Sequence, residues 1–151
     1  METLQRILTA HPFFEDFPVP HLDLVVGCAS NVRFEPGVFI FHEGEDARKF
    51  YLLREGKVGL QIASERRGPL AIQTLGEGDI LGWSWLFPPY RWKFSARTFE
   101  PTRAFAIDGQ CLRDKAEEDH DLGYELLKRF SRIFEARLET MRLQLANVYQ
   151  D

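Results

Sequence analysis

The sequence predicts a single, mainly β domain flanked by helices, and three observations support this prediction. The chain has 151 residues and 44% hydrophobic content, which suits one domain with one core. Short β-rich runs separated by turn signals fill residues 31–108. Apolar residues at helical spacing occur on either side of this region. We therefore expect N-terminal helices over residues 1–30, a β body over 31–108 and C-terminal helices over 109–150.

The N-terminal helices are predicted to be short. Leu4, Ile7 and Leu8 have helical spacing, and a second group of this kind follows around Leu22. Prolines interrupt the pattern between the two groups, over residues 11–20. The phenylalanines of this connection are too apolar for solvent, so we expect them to pack on the β body.

Turns divide the central region at short, regular intervals. The signals include Pro36-Gly37, Glu55-Gly56-Lys57 and Gly76-Glu77-Gly78-Asp79. Between them lie runs such as 38–41 and 58–62, which are rich in β-branched and aromatic residues. Strands of this length and spacing are typical of a closed or double-layered all-β body.

A long helix is predicted from about residue 119 to residue 149. At about 1.5 Å per residue it would be roughly 45 Å long, which exceeds what a β body of about 80 residues can cover. We expect the uncovered part of its apolar stripe to pair with a second copy, giving a homodimer. A helix folded back wholly on its own β body is the alternative. The predicted dimer seam consists of Leu127, Phe130, Phe134, Leu138, Met141, Leu145 and Val148.

Charge and composition exclude several classes of protein. The net charge of −4 and the pI near 5.6 argue against general nucleic-acid affinity, which needs clustered Lys and Arg. No apolar run approaches the roughly 20 residues that span a bilayer, and the N-terminus has no signal pattern. We therefore expect a cytoplasmic protein. Cys28 and Cys111 have no metal-site spacing and are expected to be reduced thiols.

The motifs of common enzymes are missing from the sequence. The histidines are His11, His21, His42 and His120, and no His-x-His pair offers the clustered ligands of a metal site. No Gly-x-Ser-x-Gly elbow or phosphate loop occurs. The acidic run 117–121 is explained by its place at a helix start. We expect neither catalysis nor a metal site.

Three segments follow one another in an order that is specific to a known family. Residues 33–46 contain Pro-Gly, a short strand and Glu-Gly-Glu-Asp, and residues 50–58 read Phe-Tyr-Leu-Leu-Arg-Glu-Gly-Lys-Val. Residues 76–82 read Gly-Glu-Gly-Asp-Ile-Leu-Gly. This order resembles cyclic-nucleotide-binding domains over essentially the whole chain. The resemblance implies a double-stranded β-helix, a jelly-roll-like β-roll, with short N-terminal helices and a long C-terminal dimerisation helix.

The resemblance also implies that the segment after Gly82, the cassette, holds the ligand. In the family a short helix there directs its amides to the cyclic phosphate, a glutamate binds the ribose, and an arginine binds the phosphate. In this chain Trp83 takes the glutamate position and Lys93 takes the arginine position. Lysine keeps the charge but lacks the bidentate fork of arginine. The family's polar contacts to the base would fall near Arg137 and Leu138.

The cassette has an unusual composition of its own. All three tryptophans of the chain lie within residues 82–97, interleaved with cations, a combination that suits a flat anionic ligand. Three outcomes remain open: a cyclic nucleotide such as cyclic AMP or cyclic GMP, another small anionic aromatic ligand, or no ligand because the tryptophans fill the pocket. The candidate ligand contacts are Gly82, Trp83, Ser84, Arg91, Lys93, Phe94 and Ser95. The candidate pocket-lining residues are Leu60, Ile72, Gln73 and Leu75.

The sequence thus predicts a regulatory ligand-sensing domain that signals through its helical dimer seam to a partner protein. The alternative is a dimeric adaptor with a closed, ligand-free pocket. Transcription factors of this broad family carry a helix-turn-helix module after the long helix, whereas this chain stops at Asp151. The charges of the long helix are balanced, so direct DNA binding is not expected.

Overall fold

Residues 4–150 are described by the computed structural model, and they form one β body with helices at both ends. The N-terminal segment folds as helix α1 (Leu4–Thr9), a 3₁₀ turn (Pro12–Phe14) and helix α2 (Val19–Val26). Proline stands in the first turn of α2, where its missing N–H has no helical partner to lose. Both helices lie where the spacing of apolar residues predicts them.

The β body consists, within the described residues, of eight strands in two four-stranded antiparallel sheets. One sheet has the strand order β1-β8-β3-β6, and the other has the order β2-β7-β4-β5. This is the predicted double-stranded β-helix, so the fold class is confirmed. The strands are β1 (Ala29–Phe34), β2 (Phe39–Phe41), β3 (Lys49–Glu55), β4 (Val58–Ile62), β5 (Leu70–Leu75), β6 (Ile80–Leu81), β7 (Ser95–Thr98) and β8 (Thr102–Asp108).

One tight turn shows how local chemistry sets the strand connections. Gly56, between β3 and β4, has φ of 105°, in the left-handed region that favours glycine. A Cβ atom at this position would lie 2.8 Å from the carbonyl oxygen of Pro101. The turn therefore requires glycine for its backbone conformation and for its close packing against the chain that leads into β8.

Apolar side chains form two core clusters, one on each side of the sheet that contains β3 and β8. The outer cluster packs this sheet against the helices and includes Phe14, Phe50 and Trp85. The inner cluster fills the space between the two sheets and includes Phe41 and Trp92. The cassette contributes a tryptophan to each cluster, so it is anchored on both sides.

Two helices follow the β body. Helix α3 spans Gly109–Glu118, and the carboxylate of Asp108 caps it by accepting a hydrogen bond from the N–H of Cys111. Helix α4 spans His120–Gln150, close to the predicted long helix. Between them, Asp119 accepts a hydrogen bond from the N–H of Leu122 at 3.2 Å. The helical structure is interrupted at Asp119, and this interruption lets α4 turn back across the β body.

The structure corrects one member of the predicted dimer seam. Phe130 is 0% exposed because it packs on Phe13 and Phe50 of its own chain, so it is unavailable to a partner. Phe134 is half-buried against Trp83. The physical reason is that the N-terminal half of α4 lies on the β body. The remaining residues of the stripe are exposed: Leu127, Leu138, Met141, Leu145 and Val148.

The expectation of two reduced thiols is wrong. Cys28 and Cys111 form a disulfide between residues 83 positions apart, with their Cα atoms 5.7 Å from each other. Cys28 follows α2, and Cys111 lies in the first turn of α3. Close by, the Lys115 ammonium donates a hydrogen bond to the Leu24 carbonyl at 2.9 Å. The fold brings α2 against α3, which spacing along the chain does not reveal.

No helix within residues 4–150 is both long enough and apolar enough to cross a lipid bilayer. Over the same residues, no three His, Cys, Asp or Glu side chains come together as ligands for a metal ion.

Candidate functional site

The cassette begins at a glycine whose environment leaves no room for a side chain. Gly82 has φ of 96°, and a Cβ atom built on it would overlap the ring of Trp92. Both facts make glycine necessary, the first through backbone conformation and the second through space. The ring of Trp92 therefore lies directly on the residue where the cassette starts.

Trp92 fills the interior of the β-roll next to this glycine. It is 4% exposed and stacks on Phe41, with ring centroids 3.6 Å apart and an angle of 6° between the planes. The predicted pocket-lining residues Leu60 and Leu75 are buried in the same cluster. Aromatic and aliphatic side chains thus occupy the inside of the roll, where the sequence predicts a ligand pocket.

Trp83 is a cassette residue that contacts α4 through Phe134 and Arg137. Its ring packs edge-on against Phe134 at 4.9 Å, and the guanidinium of Arg137 lies 4.7 Å from its centre. Arg137 also donates a hydrogen bond to the carbonyl of Ile80. Burial lowers the pKa of Arg137 to about 10, and the charge of Asp79 partly offsets this effect. The side chain remains charged at neutral pH and ties α4 to the roll.

The predicted ligand contacts do not converge on one cavity. Ser84 is buried at the start of a 3₁₀ turn (Ser84–Leu86), whereas Lys93 is exposed. The guanidinium of Arg91 lies 3.6 Å from the carboxylate of Asp46 and donates to the carbonyl of Gly44. Arg91 and Lys93, which are close in sequence, therefore do not line one cavity together in the structure.

The two remaining candidate contacts serve the packing of the cassette. Phe94 packs on Phe41 and on Trp92. The hydroxyl of Ser95 accepts a hydrogen bond from the N–H of Glu43 at 2.9 Å. This bond fixes the loop after β2 to the start of β7.

A cavity of about 360 Å³ lies between β5, the turn before β6 and α4, and we call it the α4 cavity. Gln73 and Leu75, two of the predicted pocket-lining residues, form part of its wall. Three arginines on one side of α4 form the opposite wall. The lining of the α4 cavity also includes Phe13, Asp79, Ile80, Ile133, Ala136 and Thr140.

The three arginines differ in how far they are already satisfied. Arg129 is buried, pairs with Glu125 at 2.9 Å and donates to the Phe13 carbonyl. Arg137 is engaged by Trp83, as described above. Arg132 is exposed and has no ion pair among residues 4–150. It is therefore the cation of this wall that is free to bind an anion.

Sequence reasoning missed Arg129 and Arg132, and it considered Arg137 only by its position in the family. Arg132 and Arg137 follow Arg129 by three and eight residues, which places each within roughly 80° of Arg129 around the helix, and the sequence could have shown this. Only the contact of this side of α4 with β5 and the turn before β6 shows that they line a cavity.

The cyclic nucleotide-binding domain model matches residues 31–119, which is more than half of the chain. The chain belongs to the cyclic nucleotide-binding domain family. This assignment agrees with the motifs noted in the sequence and with the β-roll. The family includes regulatory, ligand-sensing domains.

Two curated relatives show the range of proteins that contain this domain. The human cGMP-dependent protein kinase 2 is 27% identical over 82 residues, covering 54% of this chain and 11% of the kinase. A CRP-like cAMP-activated global transcriptional regulator of Mycobacterium tuberculosis is 30% identical over 103 residues, covering 67% of this chain and 45% of the regulator. The chain thus spans less than half the length of either relative.

Solved structures carry the same architecture. A cyclic nucleotide-binding protein from Geobacter metallireducens has a TM-score of 0.81 and 29% identity, covering 91% of this chain and 99% of its own. The sensor domain of the regulator DNR from Pseudomonas aeruginosa has a TM-score of 0.70 and 19% identity. The match covers 89% of this chain and 91% of that domain. The second likeness concerns the fold alone.

Proposed function

We propose that this chain is a regulatory sensor domain whose effector is a small anion with a flat ring, bound in the α4 cavity. The observation that carries this proposal is the position of Arg132 and Arg137 opposite Gln73 and Leu75. One wall supplies positive charge, and the other supplies polar and apolar surface from a strand of the roll. No catalytic step is part of this function.

The chemistry of the α4 cavity favours a ring that carries a negative charge. Leu75, Ile80 and Ile133 offer apolar surface, and the amide of Gln73 can donate and accept hydrogen bonds. A guanidinium recognises phosphate through paired hydrogen bonds. Cyclic AMP and cyclic GMP combine a purine with a phosphodiester anion, and the relatives named above are cAMP-activated or cGMP-dependent. These two nucleotides are the first effectors to test.

The cassette itself supports this displaced position of the effector. Trp92 and Phe41 fill the roll interior, and Trp83 takes the position where the family has its ribose-binding glutamate. An effector placed deeper would have to expel a stacked aromatic pair from the core. The α4 cavity is open to solvent and needs no such rearrangement.

Binding in this cavity would act on α4 through Arg137. The side chain ties the helix to the Ile80 carbonyl and to Trp83. An anion that attracts the guanidinium competes with these contacts and changes how α4 lies on the roll. A ligand shifts such an equilibrium only through its different affinity for the two arrangements.

We further propose that the exposed C-terminal half of α4 pairs with a second copy. Leu138, Met141 and Leu145 are exposed apolar residues in one stripe, which is costly in a lone helix. A homodimer would cover this stripe and pass a change in α4 to a protein partner. In this arrangement the signal is the geometry of the helix pair.

Isothermal calorimetry with cyclic AMP and cyclic GMP tests the proposed effector site. We expect saturable binding to the unmodified chain, about tenfold weaker binding to Arg132→Gln, and unchanged binding to Arg142→Gln. Arg142 is a matched control because it lies on α4 outside the α4 cavity. Equal affinity in all three proteins would refute the site. If nucleotide binding is weakened by Lys93→Gln and not by Arg132→Gln, the effector binds in the cassette instead of in the α4 cavity.

A second candidate function is a dimeric adaptor that binds no small ligand. The stacked Trp92 and Phe41 favour it, because they occupy the roll interior with the chain's own side chains. Silence in calorimetry with both nucleotides up to millimolar concentration, together with an unchanged dimer constant, would support the adaptor. A dimer constant that shifts with nucleotide would exclude it.

A further inference from the structure

A second cavity, of about 490 Å³, lies on another side of the cassette, and we call it the hairpin cavity. The cassette forms one wall, and the α3–α4 hairpin forms the other. Phe87, Tyr124 and Leu127 stand exposed at its edge. The walls are therefore mainly apolar, in contrast to the arginine wall of the α4 cavity.

A residue that lines the hairpin cavity carries an unsatisfied hydrogen-bond donor. Trp85 lines the cavity, is 1% exposed, and is held by stacking on Phe50 at 4.8 Å and by Phe130. Its indole Nε1 is buried and has no acceptor among the described residues. A buried donor without a partner is costly, and native structures contain few of them. The position thus lacks an acceptor atom.

The hairpin cavity also has a half-buried cation. The guanidinium of Arg113 donates a hydrogen bond to the carbonyl of Trp85 at 2.5 Å and lies 4.1 Å from the centre of the Tyr90 ring. It has no carboxylate partner within residues 4–150. Glu117 and His120 also line the cavity, but both side chains are exposed, and water screens the carboxylate charge of Glu117. The half-buried charged side chain of this cavity is therefore the cation Arg113.

We propose that the hairpin cavity binds a small apolar monocarboxylate. Its hydrocarbon part would lie on Leu86, Phe87 and Leu127, and its carboxylate would be recognised by Arg113 and by the indole N–H of Trp85. A carboxylate supplies the acceptor that Trp85 lacks and the negative charge that Arg113 lacks. The site is separate from the α4 cavity, so this proposal does not rest on the proposed effector.

Gly123 provides a way to fill the hairpin cavity without disturbing the fold. It lines the cavity on α4, and a Cβ atom there would lie 3.4 Å from the carbonyl oxygen of Ala116 and 3.5 Å from its Cβ, which are ordinary contacts. Replacing a helical glycine also removes a helix-destabilising residue. Gly123→Leu should therefore fold and block the cavity. Ala136→Leu is its matched control, because it adds similar bulk to α4 at the α4 cavity.

Octanoate and 1-octanol are the probes. By calorimetry we expect octanoate to bind the unmodified chain and Ala136→Leu equally, and Gly123→Leu at least about tenfold more weakly. Arg113→Gln should weaken octanoate and leave 1-octanol unchanged, because only octanoate is charged. Nuclear Overhauser contacts from the octanoate chain to the Phe87 ring should be seen in the unmodified protein.

Either of two results overturns the proposal: no octanoate binding at millimolar concentration, or equal octanoate affinity in Gly123→Leu and the unmodified chain. Leu127→Gln, at an exposed position, repeats the test if Gly123→Leu is misfolded by circular dichroism. Nucleotide titration of Gly123→Leu separates the two proposals, because filling the hairpin cavity leaves the α4 cavity untouched.

Discussion

The guanidinium of Arg137 lies 4.7 Å from the centre of the Trp83 ring, so a side chain of α4 and a side chain of the cassette hold each other. The resemblance to the family places Trp83 where a glutamate binds the ribose and places Arg137 near the position of the contacts to the base. A contact between two protein side chains thus connects the cassette to the long helix. Because α4 carries the exposed stripe, this pair joins the β-roll to the proposed dimer.

Arg137→Gln should loosen the C-terminal half of α4. The substitution removes the cation–π contact with Trp83, worth about 0.5–2 kcal/mol. We expect faster amide hydrogen exchange over residues 138–149 and unchanged exchange in β3 and β8. Arg142→Gln, whose side chain is exposed, should exchange like the unmodified protein. Identical exchange in both variants would show that Arg137 does not hold the helix.

Gly82→Ala should be more destabilising than Gly44→Ala. Both glycines have positive φ, 96° and 91°, so both substitutions introduce backbone strain of about 1–2 kcal/mol. Only at Gly82 would the new Cβ overlap the ring of Trp92, whereas nothing lies within 4 Å of it at Gly44. Urea unfolding measures the difference, which we expect to be a further 1–3 kcal/mol, roughly, for overpacking. Equal losses would mean that Trp92 moves freely.

Reduction of the disulfide should lower the free energy of unfolding. The bond between Cys28 and Cys111 closes a loop across a sequence separation of 83, and the chain-entropy relation gives about 4.5 kcal/mol for a loop of this size. We expect a lower Tm when dithiothreitol is added. The Cys28→Ser, Cys111→Ser double variant should melt at the lower temperature with or without dithiothreitol. If dithiothreitol also lowers the Tm of the double variant, the change in Tm does not come from this disulfide.

Met141→Asp should yield monomers in sedimentation velocity, while Leu143→Asp should leave the dimer intact. The two residues are almost equally exposed, at 59% and 60%, so the two substitutions should change the solubility of the protein to the same extent. They differ by two helical positions, roughly 200° around α4, which places Leu143 away from the stripe. A charge buried at the seam has no partner and opposes association. The same oligomeric state in both variants would contradict the proposed seam.

Acidification should destabilise the fold through His11. Burial lowers the pKa of His11 from 6.5, although its bond to the Leu53 carbonyl and the charge of Asp79 act in the opposite direction. The neutral ring satisfies both neighbours: Nε2 lies 3.1 Å from the Leu53 oxygen, and Nδ1 accepts from the N–H of Phe13. Protonation of Nδ1 removes that acceptor.

The pKa of His11 is lower in the folded chain than in the unfolded chain. As the pH falls, His11 therefore binds a proton in the unfolded chain at a higher pH than in the folded chain. The contribution of His11 is therefore complete above about pH 6.5 and is lost as the pH falls through the folded pKa. Urea unfolding between pH 7.5 and pH 5 should show this loss, and His11→Gln should show a smaller one. A pH dependence that is identical in the variant would assign the effect to other groups.

The sequence by itself determined the β-roll, the position of the long helix and the family. Turn signals such as those around Gly56 predict an all-β body, and apolar residues spaced by three and four predict the long helix. The β-roll and the family follow from the resemblance of the motifs in residues 33–82 to known domains. The sequence also identified the cassette as unusual, since Trp83 and Lys93 replace residues of known type. Each of these features is readable from neighbours in the chain, so no knowledge of the packing is needed.

Only the tertiary structure decided which of those residues meet. Phe130 and Met141 belong to one stripe, yet the roll covers the first and leaves the second exposed. Cys28 and Cys111 pair across 83 residues, and Trp92 points into the roll while Lys93, its neighbour, faces solvent. Packing between segments that are distant in sequence sets these outcomes. The spacing of residues along the chain does not determine which distant segment a side chain contacts in the folded protein.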